Sequence, residues 1–343
     1  MNVLIAPDKF KGTLTARQAA DAIAAGVAAF NPDWNVRILP VADGGEGTAE
    51  ILGQTSNATV IRTQASDALF RPVTCEFLIS EDGETAYIDM ASASGMQHLR
   101  PSEINAFKCS TQGTGQLIAN AITRKCKRII LGLGGTASID CGTGLAQALG
   151  ISFSDEDGGR VAPISGNLGK IEFVETKHCR IIPSRVELIL LADVENPLLG
   201  EEGVIMFAEQ KGIKGEDKEV MQAMVSHFAN LLEAKYGTIA KTPGMGAAGG
   251  AALSCLAFLG GKLAGGSDFV LEALGMDAAI ADADLIITGE GHLDEQSLLG
   301  KAPIAVSRRA QKQGKPVLAV CGKVSLNPED QKGAGISLSG FLP

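Results

Sequence analysis

Short apolar runs alternate with longer stretches of helical period along most of the chain. "NVLIAP" (2–7) is apolar almost throughout, the pattern of a strand buried on both faces. "TARQAADAIAAGVAAF" (15–30) reads as a helix with Thr15 as its N-cap, and "NVRILPVADGG" (35–45) as the next strand. This β-α-β opening predicts a parallel sheet. "ATVIRTQ" (58–64), "PVTCEFLI" (72–79) and "ETAYIDMA" (84–91) then follow with turn residues and no helix between them. "SEDG" (80–83) has the composition of a hairpin turn, so this stretch predicts antiparallel or mixed pairing and a new domain near residue 60.

Alternation then resumes. "CSTQGTGQLIANAIT" (109–123), "DCGTGLAQALG" (140–150), "DKEVMQAMVSHFANLLEAKY" (217–236) and the small-residue stretch "GMGAAGGAALSCLAFLG" (244–260) read as helices. "CKRIILGLGGTAS" (126–138) reads as a strand plus loop, and "VELILLADV" (186–194) as a strand. "ADLIITGEG" (283–291), "KAPIAVSRRAQKQG" (301–314) and "KPVLAVCGKV" (315–324) close with β-α-β. The expected architecture is α/β with two domains, one of residues 1–60 plus 266–343 and the other, 61–265, inserted within it.

Composition narrows the function classes. A net charge of −9, no basic stripe and only 4% aromatic residues argue against nucleic-acid binding. No run of apolar residues is long enough to span a bilayer. The N-terminus has no charged, apolar and cleavable pattern of a leader, so the expected location is the cytoplasm. Seven scattered cysteines, with no CxxC, fit reduced thiols better than disulfides or zinc. Glycine is abundant, 42 residues, and clusters at the ends of the apolar runs, where backbone can approach a ligand closely.

In open parallel sheets ligands bind outside the carboxyl ends of the strands. Five such ends here carry polar, mostly glycine-rich loops. They hold Asp8, Lys9, Lys11 and Gly12; Asp43, Gly44, Gly45, Glu46 and Gly47; and Gly134, Gly135, Thr136, Ser138 and Asp140. Asp193, Glu195 and Asn196 form the fourth, and Gly289, Glu290, Gly291, His292, Asp294 and Ser297, with Lys301 beyond, the fifth. A single loop of this kind is a turn plus a helix cap; five together predict a site. Glycine N–H groups and lysines suit phosphate, and carboxylates among them suit Mg²⁺ and a proton acceptor, which are the parts of phosphoryl transfer. The P-loop pattern is absent. Gly244–Gly249 spells GxGxxG without a preceding strand, which argues against a dinucleotide fingerprint. His98, His178 and His227 are read as ordinary positions.

"IAPDKFKGTLTARQAADAIAAG", "PVADGGEGTAE", "LGLGGTASIDCGTGLAQALG", "ADVENPLLG", "GMGAAGGAA" and "ITGEGHLDEQSLLGKAPIAVSRRA" together resemble the bacterial glycerate kinase family, the type forming 2-phosphoglycerate, over residues 1 to 325. The resemblance implies a flavodoxin-like domain built from both chain ends and an inserted domain similar to restriction endonucleases. It implies ATP and Mg²⁺ as cofactors, and D-glycerate bound between the domains. In the mechanism expected on this basis, carboxylates among Asp43, Asp193, Glu290 and Asp294 hold the metal, Asp43 and Glu290 before the others. Asp193 or Asp294 orients or deprotonates the 2-hydroxyl, and Lys11 and Lys301 offset transition-state charge. Asp8, Lys9, Gly44, Gly45, Gly47, Gly134, Gly135, Thr136, Ser138, Gly289, Gly291 and Ser297 line the ligand sites. Two positions depart from the family pattern: Lys9 stands where Ser is usual, and His292 where Arg is usual. Relatives run further, through a final strand and helix, so one sheet face here is expected either to be covered by a partner chain, as in a homodimer, or to lower the stability. Two rival readings are a hydroxy-acid oxidoreductase, which needs a nicotinamide site, and a relative that binds nucleotide or glycerate without turnover.

Overall fold

The computed structural model describes residues 1–179, 181, 185–192, 196–237 and 242–341. In chain order the elements begin with β1 (Asn2–Pro7), α1 (Ala16–Phe30), β2 (Asn35–Ile38) and α2 (Thr48–Thr55). Then come β3 (Thr59–Ser66), β4 (Pro72–Ile79), β5 (Thr85–Asp89), α3 (Ala91–Ser94), α4 (Gln112–Thr123), β6 (Arg128–Gly132) and α5 (Thr143–Ala148). They continue with β7 (Ser152–Ser154), β8 (Phe173–Glu175), β9 (Glu187–Ala192), α6 (Asp217–Tyr236), α7 (Ala251–Leu259) and β10 (Lys262–Gly265). The last are α8 (Gly266–Ala273), α9 (Met276–Ala281), β11 (Leu285–Leu293), α10 (Ala302–Lys312), β12 (Val317–Val324), α11 (Pro328–Gly333) and β13 (Leu338–Phe341). Two compact units result, one of Met1–Thr55 with Gly265–Pro343 and one of Ser56–Ala264.

The first unit holds a five-stranded sheet in the order β2-β1-β11-β12-β13, with every neighbouring pair parallel. Counted along this unit alone, that is the 2-1-3-4-5 order of flavodoxin-like folds, whose switch point lies between the first and third strands. The pattern of β1 explains its place. Val3 and Ile5 pack with Ala20 and Val27 of α1 on one face. Leu4 and Ala6 pack with Val306, Ala310 and the α8–α9 pair on the other. A strand covered on both faces needs the unbroken apolar run that the sequence shows. At α1 the Thr15 hydroxyl accepts from the Gln18 N–H while the Gln18 side chain accepts from the Thr15 N–H, a complete capping box.

The second unit has a mixed sheet in the order β10-β9-β6-β5-β4-β3. β3, β4 and β5 pair antiparallel, whereas β5-β6 and β6-β9 are parallel. Ser80–Gly83 makes the expected tight turn, with Gly83 at φ +75°. α4 and α5 pack on this sheet through Leu117, Ile118, Leu145 and Leu149, all buried.

Two sequence expectations fail in detail. Residues 244–260 are not one helix. Ala248, Gly249 and Gly250 all adopt left-handed conformations, and only α7 is regular, because a Cβ at Gly249 would lie 2.1 Å from the Ser138 carbonyl oxygen and the chain must turn there. β11 also runs on to Leu293, so Glu290, Gly291 and His292 are strand residues, paired with β12, rather than loop residues. The tail beyond residue 325 is structured too: α11 leads into β13, whose pairing with β12 extends the parallel sheet.

Candidate functional site

The carboxyl ends of β1 and β11 meet at the switch point of the first unit. The Asp8 N–H donates to the Gly289 carbonyl at 2.8 Å, which locks the two ends together. Gly289 must be glycine, since a Cβ there would stand 1.8 Å from the Val320 carbonyl oxygen on β12. A cleft of about 380 Å³ opens at this point, lined by Asp8, Lys9, Lys11, Asp43, Glu290, Gly291, His292, Asp294 and Lys301. A neighbouring cleft of about 400 Å³ shares Asp8, Lys9 and Lys11 and adds Gly12, Glu46 and Gly47.

Opposite charges interleave in the first cleft. Lys9 Nζ lies 3.2 Å from Asp43 Oδ1 and 3.9 Å from Asp8 Oδ1. Lys301 Nζ lies 3.6 Å from Glu290 Oε2. Burial acts to raise the Asp43 pKa, but Lys9 and the Gly45 N–H outweigh it and hold it below the usual value. Asp8 is different. Burial pushes it up to about 7, with Asp43 and Glu290 adding to the rise and Lys9 only partly offsetting it. Burial raises Glu290 as well, against Lys301. Glu290 Oε1 is buried and has no hydrogen-bond partner among the described residues. Lys11 is exposed and makes no hydrogen bond or ion pair among them. Gly44 and Gly47 take left-handed conformations in the turn before α2, and Gly45 supplies its N–H to Asp43.

Asp294 sits just past β11. Its Oδ1 accepts from the Ser297 N–H at 3.2 Å, and Oδ2 lies 3.5 Å from His292 Nδ1. His292 Nε2 pairs with Ser325 Oγ at 2.8 Å. Ser297 is fully buried, and its hydroxyl accepts from the Asp294 N–H, so its side chain closes this turn. His98 and His227 bond to the carbonyls of Ser92 and Ile171, as ordinary structural histidines do.

The second unit carries the other glycine loop at the end of β6. Gly135 is left-handed and exposed, and the N–H groups of Gly134, Gly135 and Thr136 meet no acceptor among the described residues. The Thr136 and Ser138 side chains are buried and engaged from below. Ser138 Oγ donates to Asp140, and Thr136 Oγ1 accepts from Lys211. Asp140 and Lys211 hold this loop, and Lys211 was not visible as a site residue in the sequence. Asp193 and Glu195 lie outside the described residues.

The model of the glycerate kinase family matches residues 3–339. The chain belongs to the glycerate kinase family. The glycerate kinase of Bacillus subtilis (strain 168) is 39% identical over 327 residues, covering 95% of this chain and 86% of the relative. The glycerate 2-kinase of Escherichia coli (strain K12) is 35% identical over 327 residues, with the same shares of each chain. A crystal structure from Salmonella typhimurium LT2, described as glycerate kinase 2, matches with a TM-score of 0.83 at 33% identity, covering 100% of this chain and 90% of that one.

For a member of the glycerate kinase family, the charge balance of the first cleft has a consequence. Asp8, Asp43, Glu290 and Asp294 oppose Lys9, Lys11 and Lys301, so with all of them ionised the lining is acidic. An anionic ligand enters such a cleft more readily with a proton on Asp8 or with a cation. Among the described residues no group of three or more His, Cys, Asp or Glu side chains is arranged to hold a metal ion. Mg²⁺ at nucleotide sites characteristically takes one or two carboxylates and completes its shell with phosphate oxygens and water. The unpartnered oxygen of Glu290 beside the Asp43 carboxylate fits that limited donor set. No helix among the described residues is long and apolar enough to cross a membrane.

Proposed function

We propose that the chain transfers the γ-phosphoryl group of ATP to the 2-hydroxyl of D-glycerate, giving 2-phospho-D-glycerate and ADP, in the cytoplasm. The observation that carries this reading is the cleft at the β1/β11 switch point, where the buried Asp8 carboxyl lies among Asp43, Glu290 and three lysines. Burial that raises a carboxyl pKa makes its carboxylate a stronger base than a free one. Asp8 takes the proton of the attacking hydroxyl as that oxygen bonds to the γ-phosphorus and the bond to the β–γ bridging oxygen breaks. Asp294, held by Ser297 and His292, orients the substrate hydroxyl. Lys11, which has no partner among the described residues, binds the anionic ligand group, and Lys301 offsets the charge that develops on the transferring phosphoryl. Asp43 and Glu290 would hold Mg²⁺, which when bound neutralises phosphate charge. The N–H groups of Gly134, Gly135 and Thr136, which meet no acceptor among the described residues, suit phosphate oxygens of a nucleotide.

The test is steady-state ATP turnover with D-glycerate by Asp8→Asn and Asp294→Asn. Loss of a general base costs about 10²–10⁴-fold in rate. Asp8→Asn is expected to fall in that range with its fold retained. A kcat within about threefold of wild type would remove Asp8 from the role.

A further inference from the structure

We propose that Lys211 is a positioning residue and buried counter-charge for the anion taken by the 134–138 loop. The inference rests on reading that loop as the nucleotide phosphate site. Lys211 is 5% exposed, and its Nζ donates to Thr136 Oγ1 at 3.1 Å and to the Ser138 carbonyl at 2.8 Å. It therefore pins the loop at Thr136 and Ser138, next to the half-buried Gly134 and exposed Gly135, from a segment 73 residues away in sequence from Ser138. On the other side Asp140 fixes the Ser138 hydroxyl. The Lys211 side chain has no carboxylate within ion-pair distance among the described residues; the buried Asp140 carboxylate acts on it only from beyond that distance and offsets its charge in part. A buried cation behind three N–H groups that meet no acceptor among the described residues adds to the field that attracts an anion, and it does so in a low-dielectric setting.

The ionisable groups facing the ammonium are Asp140 and Cys109, and burial lowers Lys211 to about 8 against the pull of both. The Cys109 thiol is itself pushed up to about 11, so it stays neutral near pH 8. The signs then follow. Below about pH 8 Lys211 is charged and the loop holds its anion; above it the charge is lost and binding weakens. Arginine would remain charged throughout that range.

The experiment measures KM for ATP, KM for D-glycerate and kcat from about pH 7 to pH 9 for the wild type, Lys211→Met and Lys211→Arg, with far-UV circular dichroism as the fold check. In Lys211→Met, KM for ATP is expected to rise about tenfold or more at neutral pH, the loss of a charge-assisted contact, while kcat and KM for D-glycerate stay within about threefold. The wild type should show KM for ATP rising above about pH 8 more steeply than Lys211→Arg, in which only the drift from the first cleft remains. A folded Lys211→Met with KM for ATP within about twofold of wild type overturns the proposal. If Lys211→Met does not fold, the wild-type profile decides, and a KM for ATP that is flat to about pH 9 overturns it. Gly135→Ala separates the underlying reading, because Ala is strained at φ +66° and blocks the approach to the N–H groups. An unchanged Kd for ATP in Gly135→Ala removes the loop as the phosphate site and the proposal with it. A weakened Kd there, beside an unaffected Lys211→Met, sinks the role of Lys211 alone.

Discussion

Replacing Asp140 by Ala tests how the second unit holds its glycine loop. The Asp140 carboxylate is fully buried. Its Oδ2 accepts from the Thr111 N–H and hydroxyl, both at 2.8 Å, and from the Gly144 N–H at 3.1 Å. Its Oδ1 accepts from Ser138 Oγ at 3.1 Å and the Gly142 N–H at 3.3 Å. One side chain thus joins the start of α4, the loop after β6 and the start of α5. Burial pushes its pKa up, and the donors from Thr111, Gly144 and Gly142 work against that rise. In the alanine variant these donors face a dry site. An unsatisfied buried donor costs about 1–3 kcal/mol, and water entering the small void recovers part of that, so the net loss should be about 3–5 kcal/mol. Set against a total stability of about 5–15 kcal/mol, this is a large fraction. Urea unfolding followed by far-UV circular dichroism measures the loss, and hydrogen exchange locates it in β6 and α5. Asp140→Asn keeps one acceptor oxygen and should lose about half as much. A loss below about 1 kcal/mol for Asp140→Ala, with exchange at Gly142 and Gly144 unchanged, would refute the reasoning.

Three further outcomes follow from the first unit. Gly289→Ala would force β11 and β12 apart, since its Cβ meets the Val320 carbonyl at 1.8 Å, and should lower the melting temperature by at least several degrees, read by calorimetry. The folded-state pKa of Asp8 is raised from 3.8 to about 7, so folding binds a proton. Its contribution to stability is fully present below pH 4 or so and is lost as pH rises through about 7, on the order of 4 kcal/mol in all; Asp8→Asn should remove that slope from a stability-versus-pH series. Lys11→Met should raise KM for the anionic substrate about tenfold while leaving the unfolding midpoint unchanged, because Lys11 has no partner within the described residues.

Much of this was legible in the sequence, for identifiable reasons. β1 and α6 announce themselves by pattern, since one is covered on both faces and the other carries a regular apolar stripe of Met221, Val225, Phe228 and Leu232. The acidic and basic residues of the first cleft were readable because each follows an apolar run, and a parallel sheet brings such ends together. What pattern does not carry is long-range pairing. Lys211 resembles any surface lysine in "EQKG"; only the fold brings it under Thr136 and Ser138. Asp8 and Asp43 look equivalent as letters, yet Lys9 and the Gly45 N–H hold one down while burial lifts the other. The break before α7 was hidden as well, because a run of Gly and Ala has the composition of a tightly packed helix until the close approach to Ser138 is known.

The most direct test of the central claim is ATP consumption by the purified chain with D-glycerate, with and without Mg²⁺, and with the phosphorylated product identified by ³¹P and ¹H spectroscopy. L-glycerate serves as one control and NAD⁺ with D-glycerate as another. The account predicts Mg²⁺-dependent ADP formation matched mole for mole by 2-phospho-D-glycerate. Ligand binding without turnover, a phosphate on the 3-hydroxyl, or NADH formation would each contradict it.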